Sequence, residues 1–334
     1  MGEIRIKSEE TCVYHITSRV IHRRRLLSDV EREVWVAALE RAAAFSGVEV
    51  VTYCCLGNHV HILARIDPQA RLCGDGELVR RFRALYGSEK AVWCGLDADG
   101  LAHALAYDPP EAAERLRERL RARMGDVSEF MRTLRQRYTR WYNRTHETVG
   151  TLWAERFGSV LVEDTPWLVG LVAAYIDLNA VRAGLAELPE DYRWCGYAAA
   201  LAGDTERRAA LAACFPGEGD EHGALACYRL LMLGKGAAAK RDGRGGRVDP
   251  AALLAAHRAG GELAPHELLR LRLRFLSRGV ALGSHKWMRD GAGASALGRL
   301  RRPAGAAPLE LLDDADLCVA RGKYRGGGAG DPAQ

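Results

Sequence analysis

The chain has 334 residues, 48% hydrophobic and 27% charged, with a formal net charge of +5; this is a soluble globular composition, long enough for two domains. No apolar run reaches the length of a membrane span, and the charged start, Met1 to Glu10, has no signal-peptide core, so the expected setting is cytoplasmic with no membrane partner. Nine cysteines, with Cys54 and Cys55 adjacent and none in a C-x-x-C pair, indicate neither a zinc ribbon nor a disulfide framework and read as reduced, mostly buried thiols.

In chain order, Cys12 to Val20 has strand composition around Tyr14-His15-Ile16-Thr17. Ser28 to Phe45 reads as a helix, with Ser28 as N-cap, Glu31 at the capping-box position and Gly47 as the stop. Val48 to Cys55 and His59 to Ile66 form a hairpin that turns at Leu56-Gly57-Asn58. From Ala70 to about Asp126 the pattern is less regular, with a charged helix over Pro110 to Arg123 and a Gly/Asp-rich stretch at Leu96 to Gly100; this region reads as an insertion. Val127 to His146 is an amphipathic helix: at about 100° per residue, Phe130, Met131, Leu134, Tyr138, Trp141 and Tyr142 fall within an arc of roughly 120°, and Arg132, Arg135, Arg137, Arg140 and Arg144 lie outside it. Leu152 to Val162 reads as a strand, and Thr165-Pro166 opens a further helix through Leu168, Leu171 and Tyr175. The order βαββαβ plus a terminal helix predicts an α+β, ferredoxin-like split-βαβ sandwich.

After about Gly203 the composition changes. Phe215 to Gly219 and Gly234 to Gly246 look like linkers, Gly223 to Leu233, Pro250 to Arg258 and Ala264 to Leu276 like short helices, and the tail from Gly326 is expected to be disordered. The expected organisation is therefore a first domain over 1–203 with an insertion at about 70–126, linker and short helices over 204–249, a mostly helical C-terminal region over 250–325, and a tail over 326–334.

The residues most suited to chemistry are His59 and His61. One residue apart on a strand, they project from the same face and set two imidazoles side by side, as a divalent metal ion requires, while Val60 and Ile62 point into the opposite face. On the later helix, Tyr175 and Asn179 are four residues apart and so share a face, about 5–6 Å apart at Cβ. A carboxamide oxygen can ligate a metal, and a phenol beside such a site is a possible nucleophile toward phosphorus. Tyr175 packed in the core and Asn179 capping a helix end is the plainer reading of the same spacing. Six lysines stand against 42 arginines, and arginine's planar fork suits phosphate and base-edge contacts; a GC-rich genome would give the same bias.

The chain also resembles the HUH (His-hydrophobic-His) single-tyrosine transposases, in particular the REP-associated tyrosine transposases. The matching stretches are Tyr14-His15-Ile16-Thr17-Ser18-Arg19, Asn58-His59-Val60-His61, Arg137 to Asn143, Gly150 to Phe157, Tyr175-Ile176-Asp177-Leu178-Asn179 with Val181 to Leu185, and Asp191 to Trp194. In family order, these cover most of residues 11–200. The resemblance implies that His59 and His61 are a metal pair for Mg²⁺ or Mn²⁺, Asn179 a third ligand and Tyr175 the nucleophile. Attack on single-stranded DNA would leave a 5′-phosphotyrosine and a free 3′-OH that can rejoin strands, acting on hairpin or palindromic repeat DNA as a monomer or homodimer. Arg19, Arg132, Arg140 and Arg156 are the expected DNA contacts. The chain departs from the family at Ala180, where proline is usual, and this substitution could let the helix run on. Beyond 203 only Arg274 to Gly279 and Gly283 to Trp287 look familiar from larger relatives. Two other readings stay open: a domesticated, non-cutting protein that binds palindromic repeats, and a metal-dependent phosphodiesterase that uses water.

Overall fold

The computed structural model describes residues 10–217, 219–233, 280–290, 303–308 and 317–322. Strand β1 (Cys12–Arg19) leads through an irregular loop to helix α1 (Asp29–Ser46), then to strands β2 (Val48–Cys55) and β3 (His59–Ile66). Helices α2 (Asp75–Tyr86), α3 (Ala98–Tyr107) and α4 (Pro110–Arg121) follow, then α5 (Val127–Thr145) and β4 (Gly158–Val162). These four strands lie in the order β2-β3-β1-β4, each antiparallel to its neighbours. With α1 and α5 as the crossovers, this is the ferredoxin-like split-βαβ arrangement expected from the sequence.

Local signals explain the boundaries. Glu31 accepts from both the Ser28 amide and its hydroxyl, which completes the capping box of α1, and Gly47 ends the helix at φ 64°. In α5, Phe130, Met131, Leu134, Tyr138 and Tyr142 are buried together with Trp35 and Leu39 of α1. They cover the sheet face formed by Tyr14, Ile16, Val60 and Ile62. Strand β4 starts six residues later than the apolar pattern predicts. Trp153 makes a lone bridge to Val20 and buries its ring by Tyr138, and residues 154–156 then swing outward before pairing begins at Gly158.

The insertion is a helical unit built on its own core of Leu78, Phe82, Leu85, Leu101, Leu105, Leu120 and Met124, joined to α1 through Phe45. Helix α3 begins within the Gly/Asp-rich stretch at 96–100. Asp97 accepts from the Gly100 amide at 2.8 Å and caps α3. Gly125 brings the chain back to the domain at φ +61°, where an added Cβ would lie 2.6 Å from the Asp67 carbonyl oxygen.

The opposite sheet face is covered by α6 (Pro166–Asp177), in which every residue from Leu168 to Asp177 is buried. It packs Leu168, Val172 and Ile176 on Val13, Leu63, Val160 and Val162. The short helix α7 (Asn179–Arg182) continues it with helical dihedrals at Leu178, so the helical run passes Ala180 and stops at Gly184, φ 68°. The core continues beyond residue 203. Helices α8 (Gly196–Leu201), α9 (Thr205–Ala212) and α10 (Glu221–Leu233) add Tyr197, Leu211, Tyr228 and Met232 to the cluster around α6.

One polar group lies inside this apolar layer. Asp177 is 0% exposed; Thr52 Oγ1 donates to its Oδ1 at 2.8 Å, Tyr228 to its Oδ2 at 2.5 Å, and the Tyr197 amide to Oδ1 at 3.3 Å. This ties α6 to β2, α8 and α10. Burial pushes the carboxyl up to about 7 against these hydrogen bonds.

The described part of the C-terminal region extends the sheet. Strand β5 (Ala281–Ser284) pairs parallel to β4 and is followed by α11 (His285–Asp290); β6 (Pro303–Pro308) and β7 (Leu317–Gly322) complete a seven-stranded sheet in the order β2-β3-β1-β4-β5-β7-β6. Glu163 holds the junction by accepting from the Ser284 amide at 2.6 Å and its hydroxyl at 3.1 Å. The helices expected at 250–258 and 264–276, the linker at 234–246 and the tail from 326 lie outside the described residues. Cys12, Cys54, Cys55, Cys73, Cys94, Cys195, Cys214 and Cys227 are not joined in disulfides, and among the described residues no helix is long and apolar enough to cross a membrane.

Two outcomes follow from the Asp177 junction. A Cβ on Gly196 would fall 2.1 Å from Thr52 Oγ1 and 2.9 Å from its Cα, so Gly196→Ala is expected to lower the unfolding free energy by about 1–3 kcal/mol in urea titrations. A carboxyl raised from 3.8 to about 7 on folding favours the native state while protonated, and this contribution is lost as pH rises through that window. Urea denaturation from about pH 4 to pH 7 should therefore show Asp177→Asn gaining stability relative to the parent chain as pH rises.

Candidate nuclease site

Alternation along β3 sends Val60 and Ile62 into the core below α1 and α5, and places His59 and His61 on the face beneath α6. Their rings are 5.1 Å apart and nearly perpendicular, at 73°. His59 begins the strand straight after the tight turn, and its Nδ1 lies 2.6 Å from Asn58 Oδ1. His61 is 5% exposed. On the adjacent strand Thr17 is the register partner of His61 and Arg19 that of His59. His15, two residues before Thr17, is thus diagonal to His61. Its Nε2 lies 2.9 Å from His61 Nδ1, and the two rings stack at 5.2 Å.

Helix α6 supplies the phenol. Tyr175 meets His15 edge to face at 6.1 Å, so one buried imidazole touches both His61 and Tyr175. Tyr175 is itself 3% exposed. The Arg182 guanidinium covers its ring at 4.1 Å and donates to the Tyr175 carbonyl oxygen at 2.5 Å. Asn179 lies one turn beyond Tyr175 and donates from Nδ2 to the carbonyls of Ile176, at 3.0 Å, and Tyr175, at 3.3 Å. With its amide hydrogens directed at the backbone, the carboxamide oxygen is the atom left for a cation. Asp177, in the same motif, points away into the α6–α10 layer and takes no part.

The electrostatics suit an anionic substrate. Burial, followed by the charges of His59, His15, Arg182 and Arg19, holds His61 well below the usual imidazole range, so it is the neutral form that a metal ion binds. Among the described residues no group of three or more His, Cys, Asp or Glu is arranged to hold a metal ion. The donors offered here are instead two imidazoles and an amide oxygen, residue types that fit an open divalent site whose remaining positions are left to water and phosphate oxygen.

The four expected DNA contacts separate. Arg19 stands opposite His59, and its carbonyl receives the Ala154 amide at 2.9 Å, which brings the exposed Arg156 loop to the same end of the sheet. Arg132, paired with Glu129, and Arg140 are exposed on α5, which covers the other sheet face, so the fold does not bring them to the histidines. Sequence reasoning gave no functional role to Arg182 or to His15. The signal for Arg182 was its spacing, seven residues after Tyr175, which is two helical turns on the same face. For His15 it was the strand register, which a local pattern does not contain.

Comparison with known proteins gives three findings. Residues 8–81 match the family described as Transposase IS200 like. No curated protein matches the chain significantly. Among solved structures, that of a REP-associated tyrosine transposase bound to a REP hairpin aligns with 61% of this chain and 87% of its own, at 14% identity and a TM-score of 0.39. The family match ends before Tyr175 and Asn179. Over residues 8–81, which hold β1, α1, β2 and the histidine pair of β3, the chain is similar to the IS200-like transposases, in line with the resemblance read from the sequence.

Proposed function

We propose that this protein is a metal-dependent enzyme that nicks and rejoins single-stranded DNA, with Tyr175 as the nucleophile. The observation that carries the reading is the contact between α6 and β1: a helix more than a hundred residues after the His59–His61 strand lays Tyr175 against His15, which in turn touches His61. A phenol at a face with two imidazoles, an amide oxygen and the guanidinium of Arg182 suits attack on a phosphodiester.

His59, His61 and Asn179 would hold Mg²⁺ or Mn²⁺, which when bound polarises the scissile phosphate as a Lewis acid. In the proposed step the Tyr175 oxygen bonds to phosphorus and the P–O3′ bond breaks. The phenolic proton leaves to solvent, and the departing 3′ oxygen takes up a proton. The phosphoryl group stays on Tyr175 as a 5′-phosphotyrosine. No water attacks phosphorus, so the ester energy is kept and a 3′-OH can reverse the step on another end. Arg182 holds the ring and stands ready to stabilise charge on the phosphate. Arg19 and Arg156, at the same sheet end as His59, are placed to contact the strand backbone. The proposed substrate is hairpin-bearing DNA, which presents structured single strands to a basic site.

A second reading, a protein that binds such DNA without cutting it, draws on the burial of Tyr175 beneath Arg182. Covalent capture separates the two. The protein is incubated with Mn²⁺ and labelled single-stranded hairpins from the DNA flanking its gene, then resolved on a denaturing gel. The expected result is an adduct that disappears with EDTA and in Tyr175→Phe, while a native gel shows binding preserved in that variant. Binding without an adduct would favour the non-cutting reading, and cleavage that survives Tyr175→Phe would favour a water-using phosphodiesterase. In the same assay Arg182→Ala is expected to slow adduct formation on the order of 10²-fold, as removal of one charge-stabilising donor does, with DNA affinity changed far less.

A further inference from the structure

We propose that His15 is a positioning residue for the metal-binding pair: as acceptor of the His61 Nδ1 proton, it leaves the His61 Nε2 lone pair for the cation. The inference rests on the metal reading above and adds to it a residue that does not itself touch the cation.

A neutral imidazole has one N–H and one lone pair, and the hydrogen bond made by one ring nitrogen decides which atom is left for a metal. At His59 the Nδ1 atom lies 2.6 Å from Asn58 Oδ1. For His61 the partner is a second imidazole, at 2.9 Å, and two arrangements are possible. If His15 donates, the His61 proton moves to Nε2 and the ring cannot ligate. If His61 donates from Nδ1, its Nε2 lone pair is open. Only the second arrangement makes a two-imidazole site.

The surroundings of His15 suit this task. The ring is 1% exposed, stacked on His61 at an interplanar angle of 30°, and held edge-on by Tyr175 at 72°. It cannot rotate away without opening the contact between β1 and α6. Its Nε2 is engaged by His61, which leaves His15 as a support for the ligand rather than a third ligand. A residue that merely filled space here would tolerate an apolar replacement of similar size with no effect on metal affinity.

The test is Mn²⁺ titration of the full chain by calorimetry, without DNA or turnover. His15→Leu is expected to weaken Mn²⁺ binding by roughly 10- to 100-fold, the cost of losing an outer partner of a metal-bound histidine. His15→Gln, whose carbonyl can accept from Nδ1–H, should restore most of it. A long-range ¹H–¹⁵N histidine spectrum of the unsubstituted protein supplies a second readout that no folding defect can confuse, and the expected tautomer of His61 is Nδ1–H. Unchanged Mn²⁺ affinity in a folded His15→Leu, or an Nε2–H tautomer for His61, overturns the inference while leaving the metal reading in place. If His59→Ala and His61→Ala both bind Mn²⁺ as the parent does, the metal reading fails and this inference fails with it.

Discussion

The seating of α6 on the sheet sets the geometry of the proposed site. A helix with every residue from Leu168 to Asp177 buried has no solvent face to choose from, so its rotation about its axis must be fixed by something other than amphipathicity. The fixing element is polar. Asp177 accepts from β2, α8 and α10 at once, and a hydrogen-bonded carboxyl in an apolar layer is satisfied in only one rotational setting. That setting turns Tyr175, two residues earlier, toward β1. Burying a titratable group costs stability near neutral pH, and here the cost secures the orientation of the phenol that meets His15.

The second constraint is the two-residue period of the strands. Because α1 and α5 take one face of the sheet and α6 the other, His15, His59 and His61 all fall beneath α6 while Val60 and Ile62 fill the other core. A slip of one residue between β1 and β3 would carry the histidines to the wrong side. The distances in the site are therefore set by strand register and helix rotation, both rigid quantities, and not by loops.

Much of this was legible in the sequence. The capping box of Ser28 and Glu31, the stop at Gly47, the hairpin around Gly57 and the stripe of α5 are local patterns, and the structure places each as expected. Helix α2 was overlooked although Leu78, Phe82 and Leu85 keep helical spacing, because arginines crowd the short interval between them. Asp97 caps a helix from within a stretch whose glycines suggest a loop. The strands of the C-terminal region escaped for a deeper reason. Sequences such as Ala281 to Ser284 and Pro303 to Pro308 have little intrinsic strand preference, and the pairing is dictated by the waiting edge of β4. His15 and Arg182 were visible as residues but not as partners, since a diagonal across two strands and a stack two turns along a helix exist only once the long-range contacts are made.

The parallel pairing of β5 with β4 has a consequence for biogenesis. Leu161 and Val162 meet Ala281 and Leu282, so more than a hundred residues separate the partners in the chain. During synthesis the first four strands can pair while β5 has yet to emerge from the ribosome. Until then β4 is an open edge with unpaired amides and carbonyls, able to recruit another nascent chain as readily as its own. The late strand therefore closes an edge that stays open until the end of synthesis.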